Sequence, residues 1–475
     1  MPRVIKSKYI ILKIFWFLAF LGGLAAASYL FINSLINYFQ YQPVVQVKLI
    51  QEFPTLFPAV TICNLNPFPN LYKLSKSKLN QSDLFNEDSL SSKNIAYYFV
   101  EAQENLKRFV ETNLNSSEKQ VIGFSLKDSL ISCSFNNKVC DSSNFNIHLD
   151  YNNGNCYTFN EGKNESILNT TLTGSNYGLT LEILTGDPTV QTLPKTSQGL
   201  LLVAHNQTQT LTPTIQLINA INIPPGYDSY VSINREFHSK LPSPYSNCII
   251  DLSTSQTFGT VLYNYMIASG ISTYDQASCI RLCYQKVVQD TCRCYDPKYP
   301  KLENMTIKCL SATYQVPCIL NITQGIFLQR NDYINICGFD CPIECNTIDY
   351  SQSISSAFYP SEHYVSVLAN KSYLTKFNTS GSIANLQNSV RNYLVKVTVN
   401  YNQLEYTYIQ EQPSKEIFAL VGEIGGNFGL FIGISILSVT EVLELLIDIW
   451  IYTYSRYFIV LILNTCFVYR MLLPM

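Results

Sequence analysis

Histidine is scarce in this chain, with four in 475 residues. None stands in a His-Glu-x-x-His pattern or another His/Cys metal-ligand spacing, which removes the familiar zinc-hydrolase arrangements. Charge imbalance is also lacking. The 32 Lys+Arg against 34 Asp+Glu leave a net charge of −2, so there is no basic footprint for nucleic acid. No sequence repeat and no long low-complexity run occurs. A dinucleotide fingerprint is missing as well: the glycines from Gly422 to Gly433 have the wrong spacing and follow no strand of a βαβ unit. Lysines clustered for a polyphosphate ligand, as a two-span ATP-gated channel would need, are absent too. The chain is therefore expected to be no enzyme, with no cofactor and no metal site.

What is present is a pair of long apolar segments, roughly 9–36 and 428–452. About 20 apolar residues suffice to cross a bilayer as a helix. Fourteen of the fifteen cysteines lie between the two segments. An even number there reads as a fully paired disulfide framework in an oxidising compartment. Cys292-x-Cys294 and Cys337-x3-Cys341 fall in that region, so disulfides are favoured over zinc. Arg3, Lys6, Lys8 and Lys13 place the N-terminus in the cytoplasm by the positive-inside rule. The expected layout is a short cytoplasmic N-terminus (1–8), a first transmembrane helix (9–36) and an extracellular domain (37–413). A pre-pore segment with the second helix (414–452) and an apolar tail (453–475) complete it. Both termini are then cytoplasmic. A cleavable signal at Ala25-Ala26-Ala27 is the alternative, but the apolar run continues past it to Ile32, longer than a signal core. Nine Asn-x-Ser/Thr sequons begin at Asn80, Asn115, Asn164, Asn169, Asn206, Asn304, Asn321, Asn370 and Asn378, all between the spans.

Along the chain, Gly22-Gly23 and Ala25–Ala27 suit close helix packing in lipid. Residues 44–62 read as a strand leaving the membrane, and 70–120 as short helices and loops. Residues 145–235 carry strand-like spacing with turns at Asn153-Gly154, Gly186-Asp187 and Pro225-Gly226. From 273 to 288 the period becomes helical, with Cys279, Leu282, Cys283 and Val287 on one face. Two more strands are expected at 394–401 and 404–409.

The second apolar segment carries the chemistry. Gly422, Gly426, Gly429 and Gly433 recur on one helix face. By themselves they make a close-packing face. Glu441, Glu444 and Asp448 follow at i, i+3 and i+7, and continue that side if the helix is unbroken through Gly433. Ionisable groups inside a membrane are costly and usually face a water-filled path. Repeated around an oligomer axis, they would form stacked acidic rings that concentrate cations. Glu444 and Asp448 also fit a plain cytoplasmic interface; Glu441 lies deeper.

Several stretches then resemble one family. Phe57-Pro-Ala-Val-Thr-Ile-Cys-Asn64 with Leu65-Asn66 resembles the signature after the first span in degenerin/epithelial sodium channel/acid-sensing ion channel proteins. Gly425-Gly-Asn-Phe-Gly-Leu-Phe-Ile-Gly-Ile-Ser435 is similar to that family's second-span signature. Cys133-x6-Cys140, Gly154-Asn-Cys-Tyr-Thr-Phe-Asn160, Cys279-x3-Cys283, Cys292-x-Cys294 and the Cys337/Cys341/Cys345 cluster fall in matching order. The resemblance implies an α+β membrane protein. Two transmembrane helices would carry a clenched-hand, disulfide-rich ectodomain of palm, β-ball, finger, knuckle and thumb, assembled as a homo- or heterotrimer with related subunits. It implies the pairs Cys63–Cys156, Cys133–Cys140, Cys248–Cys345, Cys279–Cys341, Cys283–Cys337, Cys292–Cys318 and Cys294–Cys309, with Cys466 left reduced. It also implies that Gly433-Ile434-Ser435 form the selectivity belt and that Gly422 is the position where larger side chains hold degenerins open. Tyr41 and Tyr245 would be an aromatic pair coupling the first span to the thumb base.

The chain departs from the family pattern at several places. The His-Gly gating motif before the first span is absent from residues 1–8. His205-Asn-Gln-Thr-Gln-Thr210 and Cys318-Ile-Leu-Asn-Ile-Thr-Gln324 lack the carboxylates of the proton-gated branch, and Gln42-Pro43 stand where that branch has histidines. The expectation is a sodium-selective, amiloride-sensitive plasma-membrane channel. Its gate would answer an extracellular ligand such as a peptide, or mechanical force, and its partners would be Na+ and membrane lipid. The alternative is a non-conducting or obligately heteromeric subunit acting as a receptor or adhesion protein.

Overall fold

The computed structural model describes residues 9–73, 95–163, 166–186, 197–207, 220–250, 261–268, 274–299, 301–302, 306–310, 314–323, 336–338, 340–369, 382–433, 441 and 443–454. Residues 1–8, the 455–475 tail with Cys466, and the sequon asparagines 80, 164, 304, 370 and 378 lie outside them, as do Ile434 and Ser435.

In chain order the elements begin with α1 (Ile10–Phe39), β1 (Pro43–Gln51), β2 (Thr55–Leu56) and β3 (Ala59–Asn64). Three helices follow: α2 (Ile95–Asn113), α3 (Ser116–Ile122) and α4 (Leu126–Ser129). The next strands are β4 (Leu130–Phe135), β5 (Lys138–Val139), β6 (Phe145–Asp150), β7 (Gly154–Phe159), β8 (Asn169–Thr170) and β9 (Leu179–Leu184). Then come β10 (Leu200–His205), β11 (Ile221–Ile223) and β12 (Tyr227–Ser239). Helices α5 (Val261–Ala268), α6 (Gln276–Cys292) and α7 (Gln315–Ile322) precede β13 (Asn346–Phe358). The chain continues with α8 (Glu362–Leu368), α9 (Ile383–Arg391), β14 (Leu394–Pro413) and α10 (Ile417–Ile432). It divides into two units, Met1–Val44 with Glu411–Met475, and Val45–Gln410.

In the first unit, α1 has 30 residues, about 45 Å of helix at 1.5 Å per residue. Among the described residues it alone is long and apolar enough to cross a membrane. Helix α10 packs beside it through small residues. A Cβ on Gly23 would lie 2.9 Å from the Phe431 carbonyl oxygen, so only glycine permits this approach. Ala27 is fully buried, and the Phe31 and Phe428 rings lie 5.6 Å apart. Gly22 points elsewhere, and a Cβ placed on it would meet nothing within 4 Å.

The condition attached to the acidic stripe, a second helix unbroken through Gly433, is not met. Helix α10 stops at Gly433, whose φ of 75° is left-handed. Its N–H reaches the Phe428 and Gly429 oxygens, both at 3.1 Å. Glycine adopts this conformation without a Cβ penalty and so ends helices. Residue 441 and residues 443–454 are helical again. The angular continuity assumed between the glycine face and the acidic residues therefore does not hold.

In the second unit, a seven-stranded sheet runs β13-β12-β14-β9-β4-β5, with β1 also paired to β14. A five-stranded sheet runs β11-β10-β3-β7-β6. The Phe57–Asn64 signature is core material. Phe57, Ala59, Val60, Ile62 and Cys63 are fully buried, and the Phe57 ring sits 4.9 Å from Phe135. Asn160 donates through Nδ2 to the Phe57 oxygen at 2.6 Å. Asn64 donates to the Thr185 oxygen at 2.8 Å. Gly154, at φ 68°, lies so near Pro67 that a Cβ would fall 2.3 Å from its carbonyl oxygen.

Residues 70–120 differ from the expected short helices: α2 runs 19 residues, burying Leu106 and Val110 against Phe68, Leu71 and Ile122. The expected strands 394–401 and 404–409 are one strand, β14, of 20 residues. In α6 it is Val288, not Val287, that is fully buried.

Candidate functional site

The proposed belt begins where α10 ends. A helix leaves its last four carbonyls without intrahelical partners, and the left-handed Gly433 sets that stop at the first residue of the Gly-x-Ser tripeptide. Gly422, Gly425 and Gly426 have nothing within 4 Å of a Cβ placed on them, so no described part of this chain packs on them. Glu441, Glu444 and Asp448 are exposed on the helical stretch that follows. Their i, i+3, i+7 spacing keeps them on one side of it.

Sequence reasoning passed over a fourth acid. Glu423, inside α10, accepts from Ser34 Oγ of α1 at 2.9 Å and from Lys415 Nζ at 2.7 Å. Ser34 is only 2% exposed. A Ser in an apolar helix and a Glu in a glycine run were the signal that could have found the pair. Nearby, the Ser414 N–H donates to the Gln42 oxygen at 3.0 Å, tying the chain leaving α1 to the chain entering α10.

Tyr41 sits at φ 49°, with its ring 6.2 Å from both Tyr38 and Phe39. Tyr245 lies in the other unit, where its N–H closes a turn on the Pro242 oxygen at 3.0 Å. Of the described sequons, Asn115, Asn169 and Asn321 are exposed and Asn206 is half-buried. Asn115 also caps α3, accepting from the Glu118 N–H at 2.9 Å.

Seven disulfides staple the second unit: Cys63–Cys156, Cys133–Cys140, Cys248–Cys345, Cys279–Cys341, Cys283–Cys337, Cys292–Cys318 and Cys294–Cys309. These are the pairs the family order implies. Cys279 and Cys283 stand one turn apart on α6, so their bonds form adjacent rungs.

The first of the two stretches without carboxylates is anchored in the sheets. His205 Nε2 lies 2.9 Å from Thr61 Oγ1, and burial pushes its pKa down to about 4. Gln207 donates to the Phe57 oxygen at 2.6 Å. Residues 208–210 and 324 lie outside the described residues. Acids do face the cysteine-rich segment, from α2. Glu104 bridges Lys107 at 3.1 Å and Lys298 at 3.0 Å. Glu111 bridges Lys308 at 2.5 Å and also Lys119. Burial opposes both charges, but the lysines outweigh it and hold both carboxyls below their usual range. Asp150, in the β6–β7 turn, behaves oppositely. Burial pushes it up to about 6, against bonds from Asn152 and Asn153 that favour its charge. Among the described residues no group of three or more His, Cys, Asp or Glu is placed to hold a metal.

The chain is similar to known channel proteins. The family described as amiloride-sensitive sodium channel matches residues 1–445. The chain is similar to the bile acid-sensitive ion channel of Rattus norvegicus, 25% identical over 91% of this chain and 82% of the relative. It is also similar to acid-sensing ion channel 1C of Danio rerio, at 26% over 92% and 79%. The FMRFamide-activated amiloride-sensitive sodium channel of Cornu aspersum is 23% identical over 94% and 80%. Paired apolar helices with a left-handed glycine stop, a disulfide-stapled β-sheet unit, and a family match across nearly the whole chain converge on one conclusion: the chain belongs to the amiloride-sensitive sodium channel family, whose members are ion channels and not enzymes.

Proposed function

We propose that this chain is a subunit of a sodium-selective, amiloride-sensitive channel of the plasma membrane. It would act as a homo- or heterotrimer of two-span subunits with both termini in the cytoplasm. The observation that carries the reading is the helix stop at Gly433. It frees backbone carbonyls at the head of the Gly433-Ile434-Ser435 tripeptide, and a belt of carbonyls can replace part of an ion's hydration shell. Glu441, Glu444 and Asp448 then supply negative potential on the inner side. The glycine face at 422, 425 and 426, free of neighbours among the described residues, is where neighbouring subunits would approach.

The gate answers an extracellular ligand, such as a peptide, or force, rather than a carboxylate proton sensor. Support comes from α2. Glu104 and Glu111 face lysines and their pKa values are lowered, while Asp150, the carboxyl raised to about 6, sits in the β6–β7 turn outside both of the stretches 205–210 and 318–324. Ligand gating has precedent in the relative named for activation by FMRFamide. The test is expression in oocytes, with currents recorded under sodium replacement, amiloride, peptides, pressure and mild acid. Sodium current evoked by a peptide or by pressure supports the reading. A mild-acid current abolished by changing residues 207–210 or 320–324 would overturn the gating part, and surface-delivered trimers silent to the whole panel would favour a non-conducting or obligately heteromeric subunit.

A further inference from the structure

Arg235 lies on β12, between β13 and β14, and is only 4% exposed. A buried guanidinium is costly unless paired, and among the described residues this one has a single carboxylate partner, Glu52. Its remaining contacts are aromatic: Cζ lies 5.0 Å from the Phe237 ring centroid and 5.0 Å from that of Tyr406. The two rings are 4.6 Å apart, so the cation sits over a tilted pair of π faces. Its Nε is buried without a hydrogen-bond partner among the described residues. Apolar side chains would fill this space at less cost, so the arrangement calls for a role beyond packing.

Its place in the topology supplies one. The parallel register of β12 and β14 breaks here: Ile233 faces Tyr401, and Arg235 faces Tyr406. Strand β14 advances five residues while β12 advances two, so β14 carries a bulge of three extra residues. The Glu52 N–H donates to the Leu404 oxygen within that bulge, at 3.2 Å. Glu52 thus holds β14 through its backbone and β12 through its side chain. It directly follows β1, which begins four residues after α1 ends, and β14 ends four residues before α10 begins.

We propose that Glu52, Arg235 and the 402–405 bulge form a coupling joint. Through it a shift of β12 is passed together to β1 and β14, the strands that run into the two membrane-side helices. Arg235 is a positioning residue, and Tyr406 with Phe237 sets its seat. A guanidinium over rings tolerates sliding while its ion pair keeps direction, which suits a joint that moves. The proposal rests on the channel reading for its purpose, though not for its structure.

The test is hydrogen exchange on the purified full chain, with currents recorded in parallel. Arg235→Met should raise amide exchange by at least about tenfold in both 45–52 and 402–410, leaving β4–β9 and α6 unchanged. Glu52→Gln, on a residue 31% exposed, should do the same and remains informative if Arg235→Met fails to fold. Arg235→Lys, which keeps the charge but loses the planar stack, should give an intermediate effect. In currents, Glu52→Gln should change the fraction of time open while single-channel conductance and ion preference stay as in the parent. Exchange raised on β12 alone, or an unchanged open fraction in a conducting channel, would overturn the joint. If exchange responds on both strands but no chain conducts, the channel reading fails and the joint's structure stands.

Discussion

The rungs Cys279–Cys341 and Cys283–Cys337 permit a quantitative test of how the cysteine-rich segment is stiffened. They close 62 and 54 residues of sequence, and the inner is nested in the outer. With both present, the loop between them holds only 62 − 54 = 8 residues. Cys292–Cys318 shortens the larger loop to roughly 28 residues, so chain-entropy arithmetic assigns about 2.5 kcal/mol to closing the eight-residue loop and about 3.5 kcal/mol to closing the larger one. Removing either bond alone, by paired Cys→Ser changes, opens only the small loop and should cost about 2.5 kcal/mol. Removing the second then opens the larger loop and should cost about 3.5 kcal/mol. The double removal therefore exceeds the sum of the singles by about 1 kcal/mol, a coupling that a double-mutant cycle resolves. Denaturant-dependent proteolysis of the purified full chain, with the midpoint read for each variant, supplies the four numbers. Strict additivity, or a first removal as costly as the second, would refute the nested-loop reasoning.

Three further outcomes follow from local geometry. Gly23→Val should lower the melting stability of the purified protein by about 1–3 kcal/mol, because its Cβ meets the Phe431 carbonyl oxygen; Gly22→Ala, facing open space, should leave it unchanged, and equal effects would contradict the packing of α1 on α10. Gly422→Phe should give constitutive current if subunits close on that face, whereas a silent, surface-delivered Gly422→Phe in a conducting background would exclude it. For Asp150 the native state holds a proton that the unfolded chain releases between pH 3.8 and about 6. Its contribution is thus complete below pH 3.8 and lost as pH rises through about 6, at most about 3 kcal/mol. Asp150→Asn should flatten the wild-type stability profile in that window, and parallel profiles would refute the assignment.

What the chain's pattern disclosed, and what it hid, follows from range. The cysteine order and the two signatures were legible because they are local strings, and the buried Phe57–Asn64 segment shows the physical demand behind one of them. The break at Gly433 was not legible. A glycine on a regular helical period looks like a packing position, and only its φ shows that it ends the helix. Strand β14 read as two strands because its bulge interrupts the alternation between 401 and 406. Helix α2 was hidden by Ser/Asn-rich flanks. The pairings Glu423–Ser34 and Glu52–Arg235 span 389 and 183 residues, and no local pattern encodes such a distance.

The central claim is that ions pass a belt beginning at Gly433 and are concentrated, not selected, by the acids beyond it. Contact coordination must replace hydration to discriminate between ions, whereas a carboxylate ring attracts any cation over several ångströms. The most direct measurement is the reversal potential under bi-ionic sodium/potassium conditions for the parent channel, Ser435→Ala and Glu441→Gln. The account predicts that Ser435→Ala changes the sodium/potassium permeability ratio or abolishes current, while Glu441→Gln lowers conductance and leaves the ratio near the parent's. A ratio that collapses in Glu441→Gln and survives in Ser435→Ala would contradict it.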